Sequence, residues 1–169
     1  MHKETALPES VERVARLLRD IGHEQPVLML ASSGKTCAQA AASLGCDVGE
    51  IAKSIVFKRL GDDAAVMVIA SGADRIDEAK VAAIAGPIGK ADARFVKERT
   101  GYAIGGVCPI GHVNKSVILI DEKLFGFASV WVAAGHPHSV FNLTPAQLQA
   151  MTGAPTVDVS DQDGVPGLA

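Results

Sequence analysis

Residues 51–58 read IAKSIVFK and residues 64–70 read AAVMVIA, with Gly-Asp-Asp at 61–63 between them. Val and Ile, which favour strands, occur in both segments, and the first also contains Phe57. Two such segments separated by a short turn that contains glycine predict a β-hairpin. Because helical patterns precede and follow this hairpin, the chain is predicted to fold as a mixture of α and β elements.

Five segments carry the sequence signals of helices. The first is amphipathic, with apolar residues at helical spacing, and the second is rich in alanine. The other three begin at a Thr or Asp that can cap a helix, and the last four end at glycine. The predicted helices cover residues 8–21, 36–44, 77–85, 92–100 and 144–153.

Short strands and loops rich in glycine and proline dominate the chain after Gly101. Strands are predicted at Ile104 and at residues 117–120, 129–132 and 140–143, and another at residues 27–30. Loops with such fixed backbone geometry are frequent positions for functional sites.

The composition predicts one globular domain. A chain of 169 residues, 48% of them hydrophobic, can bury roughly 70% of the surface of its unfolded form. Its three cysteines are odd in number and lack CxxC spacing, and no signal peptide is evident, so we expect reduced thiols and a cytoplasmic protein. Apolar runs are far shorter than the ~20 residues of a spanning helix, so no membrane association is expected.

The charge is unevenly distributed. Residues 144–169 contain three Asp and no Lys or Arg, so they carry the whole net charge of -3. Residues 90–115 hold five basic residues against two acidic ones. This local excess fits either a modest phosphate-facing patch or a solvated helix face, whereas DNA-binding proteins usually have a much larger excess. Aromatic residues, at 4%, are too few for a platform that stacks single-stranded bases.

Two apparent motifs are weak. Ser33-Gly34-Lys35-Thr36 resembles the end of a phosphate-binding loop, but Met29 stands where that loop needs its first glycine, so an ordinary helix start is predicted. His112, His136 and His138 have no further metal ligands marked by spacing. We therefore expect hydrogen-bonding histidines and no metal.

Two other features leave alternatives open. The loop from Gly105 to His112 reads GGVCPIGH, which suits either backbone N–H groups that receive an oxygen or a simple tight turn. Lys53 alternates with Ile55 and Phe57 on one strand face. It is either a surface lysine at a strand end or an ammonium that needs partners because its desolvation is costly.

Three segments together carry a family resemblance: IAKSIVF at 51–57, TGYAIGGVCPIGH at 100–112 and AGHP at 134–137. With them the chain resembles the YbaK/ProX family of aminoacyl-tRNA deacylases, related to the editing domain of bacterial prolyl-tRNA synthetase. The resemblance runs from about residue 10 to 157. It implies a single α+β domain over residues 6–158, with a mixed, curved, barrel-like β-sheet and surrounding helices. We expect the polar tail, residues 159–169, to be mobile.

The resemblance implies a trans-editing deacylase that hydrolyses the ester of a mischarged small amino acid on tRNA, in particular tRNA for proline. Such editing is needed because a synthetase pocket gains only ~1–3 kcal/mol per methylene. No metal or other cofactor is implied. The implied partners are the aminoacylated acceptor end and prolyl-tRNA synthetase, with no DNA and no membrane. The alternative is a noncatalytic adaptor that binds aminoacyl-tRNA or a synthetase.

Site residues follow from the same resemblance. The implied catalytic residues are Lys53, the family's essential lysine, with Gly105 and Pro109 of its GxxxP loop. The implied substrate-binding residues are Ser54, Gly101, Gly106, His112, Gly135 and His136. Ser54 replaces the Asn of alanine-selective members, and Val140 stands where the YbaK subgroup has Asp, so the amino acid that is removed stays open.

Overall fold

The computed structural model describes residues 7–30 and 36–161. Its helices are α1 (Glu9–Asp20), α2 (Cys37–Leu44), α3 (Glu78–Ala85), α4 (Ala93–Thr100) and α5 (Pro145–Thr152). Its strands are β1 (Leu28–Met29), β2 (Ala52–Arg59), β3 (Ala65–Ser71), β4 (Ile88–Lys90), β5 (Val117–Asp121), β6 (Val130–Ala133), β7 (Ser139–Leu143) and β8 (Thr156–Val157). Short 3-10 helices cover Val48–Glu50 and Glu122–Gly126. The predicted mixed α+β fold is confirmed.

The predicted hairpin is the centre of the larger sheet. Strands β2 and β3 pair antiparallel over seven residue pairs, from Ala52 with Ser71 to Lys58 with Ala65. The full strand order is β4-β2-β3-β5-β8, with β5 parallel to β3 and β8 parallel to β5. Every residue of β3 is buried, because helices and loops cover both faces of the sheet.

The strands of the described residues form two sheets and not the single curved, barrel-like sheet that was expected. The second sheet has the order β1-β7-β6. It meets the larger sheet at one parallel bridge, between Ile51 and Trp131. Just before Ile51 the chain forms a 3-10 helix, Val48–Glu50, so no strand continues the pairing in that direction.

The helix boundaries agree with the sequence signals. Four helices begin at side chains that accept hydrogen bonds from the first turn: Thr36, Asp77, Asp92 and Thr144. Glycines with positive φ end all four, at Gly45, Gly86, Gly101 and Gly153. These positions need glycine because a left-handed conformation is costly for residues with a Cβ atom.

One predicted strand is wrong, and two strands were missed. Ile104 lies in a turn and is 54% exposed, because Gly105 has φ +89° and the N–H of Gly106 donates to the carbonyl of Ala103 at 3.0 Å. The missed strands, β4 and β8, have three and two residues, too short to show alternation.

Packing continues past residue 158, where the domain was expected to end. Val159 and Ser160 are both 0% exposed. The buried carboxylate of Asp121 accepts hydrogen bonds from the N–H of Val159 and the hydroxyl of Ser160, each at 3.0 Å. Residues 162–169 of the predicted tail lie outside the described residues, as do residue 6 and Ser33-Gly34-Lys35. No helix in the described part of the chain is long and apolar enough to cross a membrane.

Candidate functional site

A cavity of about 290 Å³ lies between the start of β2, helix α2, the loop after Ile104 and the second sheet. It brings together three residues predicted to be functional, namely Lys53, Ser54 and Gly105. Its other lining residues are mainly apolar, and they include Leu30, Cys37, Ala40, Ile51, Val107, Trp131, Pro137 and Val140. A groove of about 470 Å³ between α1 and α5 contains none of the predicted residues.

Lys53 reaches the cavity from the second position of β2, opposite Ala70 on β3. Its ammonium donates a hydrogen bond to the backbone carbonyl of Asp74. Lys53 shares one face of β2 with Ile55 and Phe57. This face is only partly buried, because Ile55 is 39% exposed whereas Phe57 is buried. Lys53 is therefore a half-buried ammonium with a carbonyl partner, which is the second of the two alternatives left open by the sequence.

Ser54 presents an unused hydroxyl. Its Oγ atom is buried and has no hydrogen-bond partner among the described residues. A buried polar atom without a partner costs free energy. The residue also lines the cavity, but Oγ itself is covered by protein atoms, so the hydroxyl would have to rotate towards the cavity to meet a bound molecule.

Two glycine loops meet at the side of the cavity away from β2. A Cβ atom on Gly106 would lie 2.6–2.8 Å from the backbone N, Cα and C atoms of His136. A Cβ atom on Gly105 would lie 3.7 Å from Cγ of Pro137, which also lines the cavity. The two loops can approach this closely only because residue 106 has no side chain.

The second loop is fastened to α1. Gly135 has φ +100°, and a Cβ atom there would lie 2.8 Å from the carbonyl oxygen of Ser10. The hydroxyl of Ser10 donates to the carbonyl of Gly135 at 2.7 Å. Gly135 is therefore a buried support of the loop and does not line the cavity.

Besides Gly106 and Gly135, four other predicted residues lie outside the cavity lining. Pro109 is buried in the loop frame, and Gly101 ends α4. His136 packs its backbone against Gly106, and its Nδ1 accepts from the N–H of His138 at 3.0 Å. These positions support the glycine loops from behind.

His112, the fourth of these residues, ties the ends of its own loop together. Its Nε2 lies 2.7 Å from the carbonyl oxygen of Cys108, and its Nδ1 lies 2.7 Å from Oγ of Ser116. Burial lowers the pKa of its imidazole, which favours the neutral ring. Within residues 7–30 and 36–161, no three His, Cys, Asp or Glu side chains are grouped as metal ligands.

The sequence reasoning missed one wall of the cavity. Cys37 and Ala40 come from α2, and Trp131 and Ala133 from β6. Burial raises the pKa of the Cys37 thiol, and the nearby charge of Lys53 partly offsets this effect. The alanine-rich pattern of α2 indicated close packing, but no local signal indicated that its partner would be this cavity.

The fold and site define a compact α+β domain with a lysine and glycine loops around one small cavity. Residues 31–151 match the sequence model of the aminoacyl-tRNA editing domain, so the chain belongs to the aminoacyl-tRNA editing domain family. The predicted YbaK/ProX-like relationship is confirmed.

Relatives of known sequence or structure agree with this assignment. The uncharacterized protein YwhH of Bacillus subtilis (strain 168) is 34% identical over 126 residues, which cover 74% of this chain and 80% of YwhH. The proline-tRNA ligase of Limosilactobacillus fermentum is 33% identical over 122 residues, which cover 69% of this chain but 21% of the ligase. A crystal structure of a candidate trans-editing enzyme for prolyl-tRNA synthetase is 38% identical, with a TM-score of 0.85, and the match covers 92% of this chain and 99% of that one.

Proposed function

We propose that the protein is a free-standing deacylase that hydrolyses the ester between a mischarged small amino acid and its tRNA. The observation that supports this most directly is the meeting of Lys53, Ser54 and Gly105 at one small cavity of an editing domain. An ammonium, a hydroxyl and a backbone N–H are suited to hold an aminoacyl ester.

Hydrolysis of the ester requires a water molecule to attack the carbonyl carbon. The tetrahedral intermediate then collapses, the bond to the ribose oxygen breaks, and that oxygen takes a proton, so that a free amino acid and a ribose hydroxyl result. Negative charge develops on the former carbonyl oxygen, and preorganised donors near that oxygen lower the barrier.

Lys53 and Gly105 are the proposed donors. A lysine ammonium has three N–H groups, and one of them donates to Asp74, which leaves two for the substrate. The N–H of Gly106 already donates to Ala103. The backbone donor that we assign to the substrate's carbonyl oxygen is therefore the N–H of Gly105. Because aminoacyl esters are labile and these donors are in place, we propose that no metal is needed.

The size of the cavity limits what enters it. A volume of about 290 Å³ is at the low end for ligand pockets, so it suits an aminoacyl group with its ribose and not the tRNA body. The mainly apolar walls favour a small side chain with few polar atoms. This fits the need for a second sieve, since a synthetase rejects small apolar amino acids poorly.

The tRNA body would contact the protein surface outside the cavity, and only weakly. In the basic segment 90–115, Arg94 already pairs with Glu98 at 2.9 Å, and Lys97 donates to the carbonyl of Gly101 at 3.2 Å. We propose that the protein contacts a few phosphates of the acceptor end. The affinity for tRNA should therefore fall only gently with salt.

The proposed tRNA is that for proline, with prolyl-tRNA synthetase as a partner. Two relatives support this: one is part of a proline-tRNA ligase, and the other is a candidate trans-editing enzyme for the same synthetase. The chain corresponds to about a fifth of that ligase, so the proposal covers editing and not aminoacylation.

A deacylation panel tests the proposal. The purified protein is offered proline tRNA charged with Ala, Cys, Ser, Thr, 2-aminobutyrate or Pro, with Lys53→Ala as the matched control. We expect release of at least one amino acid other than proline, with Pro-tRNA spared and the control inactive. If every charged tRNA stays intact but is bound, the chain is a noncatalytic adaptor.

Chelation tests the proposal that no metal is needed. Activity should survive dialysis against a strong chelator. Loss of activity that zinc restores would instead give the histidines a metal-binding role.

A further inference from the structure

We infer that the turn formed by residues 71–74 positions the ammonium of Lys53, with Ser71 as the residue that holds the turn. This inference rests on the proposed function, because it assigns a role in the same reaction. Ser71 is the last residue of β3 and is 0% exposed. It touches neither the cavity nor Lys53 through its hydroxyl, so its role would be positioning and not catalysis.

The hydroxyl of Ser71 joins two parts of the backbone. It donates to the carbonyl of Gly49 at 2.8 Å and accepts from the N–H of Ala73 at 3.2 Å. The N–H of Asp74 donates to the backbone carbonyl of Ser71 at 3.0 Å. Three hydrogen bonds thus fix the turn that carries the Asp74 carbonyl.

Gly72 fixes the same turn from its other side. Its N–H donates to the carbonyl of Ile51 at 2.6 Å. A Cβ atom on Gly72 would lie 2.7 Å from the carbonyl oxygen of Val48 and 2.8 Å from Cβ of Cys37. The turn is therefore packed directly against the chain that enters β2, two residues before Lys53.

This arrangement explains how a long side chain is held in one place. Lysine has a flexible four-carbon stem, so its ammonium samples many positions unless an acceptor fixes it. The Asp74 carbonyl is that acceptor, and the turn holds it close to the strand that carries Lys53. One N–H is used for anchoring, and the other two can point into the cavity that Lys53 lines. An oriented donor is worth more to catalysis than a mobile one.

The kinetic test compares two buried hydroxyls. Ser71→Ala removes the one that holds the turn. Ser160→Ala removes another that is also 0% exposed. Its backbone lies beside Ile76, just after the turn, but its hydroxyl is hydrogen-bonded to Asp121 and not to the turn. We expect Ser71→Ala to lower kcat at least tenfold with KM within twofold of the wild type, and Ser160→Ala to keep kcat within twofold. Equal losses of kcat in the two variants would show that Ser71 only stabilises the fold and does not position Lys53.

A spectroscopic test follows Lys53 itself. With 15N-labelled lysine, the ammonium of Lys53 should give a resolved NMR signal in the wild type, identified by its absence from Lys53→Ala. This signal should broaden beyond detection in Ser71→Ala and persist in Ser160→Ala. An unchanged signal in a folded Ser71→Ala protein would overturn the inference.

Two provisions keep the test decisive. If Ser71→Ala does not fold, Ala73→Pro removes the N–H that donates to Ser71, at an exposed position, and also fixes φ there; it should give the same changes to a smaller degree. If the wild type hydrolyses no substrate, the proposed function fails. The NMR comparison then still reports whether the turn positions Lys53, because it needs no substrate.

Discussion

The two sides of the cavity are built in different ways. On the strand side, Lys53 and Ser54 are fixed by the antiparallel pairing of β2 and β3 and offer side-chain groups. On the loop side, Gly105 offers backbone, and the positions of Gly106 and Gly135 behind it depend on the absence of side chains. A change on the strand side should therefore remove chemistry and leave the fold, whereas a change on the loop side should disturb both.

The largest effect is expected at Lys53. Lys53→Ala removes a charged donor from the cavity and should lower the deacylation rate about 10²- to 10³-fold. Its melting temperature should stay within about 2 °C of the wild type, because the side chain is only half-buried. Lys53→Arg should fail as well, since a planar guanidinium does not replace a compact ammonium. If Lys53→Ala kept activity within a few fold of the wild type, Lys53 would have no catalytic role.

The next effect concerns the loop side. Gly106→Ala places a Cβ atom within 2.6–2.8 Å of the His136 backbone, so the two loops must separate. We expect a loss of about 1–3 kcal/mol in the free energy of unfolding and a fall in activity of roughly tenfold or more. The matched control is Gly126→Ala, where an added Cβ atom would meet nothing within 4 Å. Thermal melts and deacylation rates of the pair check this, and similar behaviour of both variants would contradict the steric argument.

On the strand side, Ser54→Ala should change the selectivity for the amino acid without lowering the stability of the fold. It removes a buried hydroxyl that has no partner among the described residues, so stability should stay equal or rise by up to about 1 kcal/mol. The ratio of kcat/KM values for serine and alanine esters should change about tenfold, because the hydroxyl of this cavity-lining residue would meet the substrate once rotated towards it. A clear loss of stability without a change in that ratio would show that the hydroxyl serves the fold.

The smallest effect is the dependence of stability on pH through His112. Burial lowers the pKa of this histidine from the usual 6.5, so near that pH the unfolded chain binds more protons than the folded one. Its contribution to stability is therefore complete above about pH 6.5 and is lost as the pH falls towards the lowered pKa of the folded state. Chemical unfolding at several pH values should show this decline in the wild type. His112→Gln should flatten it, and an equal slope in both proteins would argue against the buried neutral ring.

Local signals predicted the helices and the reactive strand. Asp77, Asp92 and Thr144 cap their helices as expected, since capping depends on residues only two or three positions away. The segment IAKSIVFK gave both the strand and its lysine, because alternation is also a local property. Ile104 was predicted wrongly because a neighbouring glycine with positive φ outweighs the strand preference of one isoleucine.

Local sequence signals did not show which predicted site residues line the cavity and which only support its loops. Lys53, Ser54 and Gly105 line the cavity, whereas Pro109, His112 and Gly135 support it from behind. Sequence patterns place these six residues in a strand or in loops. They do not show which of the side chains and backbone groups face the cavity.

The sequence by itself determined the class of the fold, the helix limits, the hairpin and the family, because each depends on short-range patterns or on motifs read in order. Only the tertiary structure decided that the strands form two sheets, that Cys37 and Trp131 form a wall of the cavity, and that Ser71 reaches Lys53 through Asp74. These contacts join residues that are distant in the chain. Their geometry follows from how whole elements pack, and a local pattern carries no information about a partner that lies dozens of residues away.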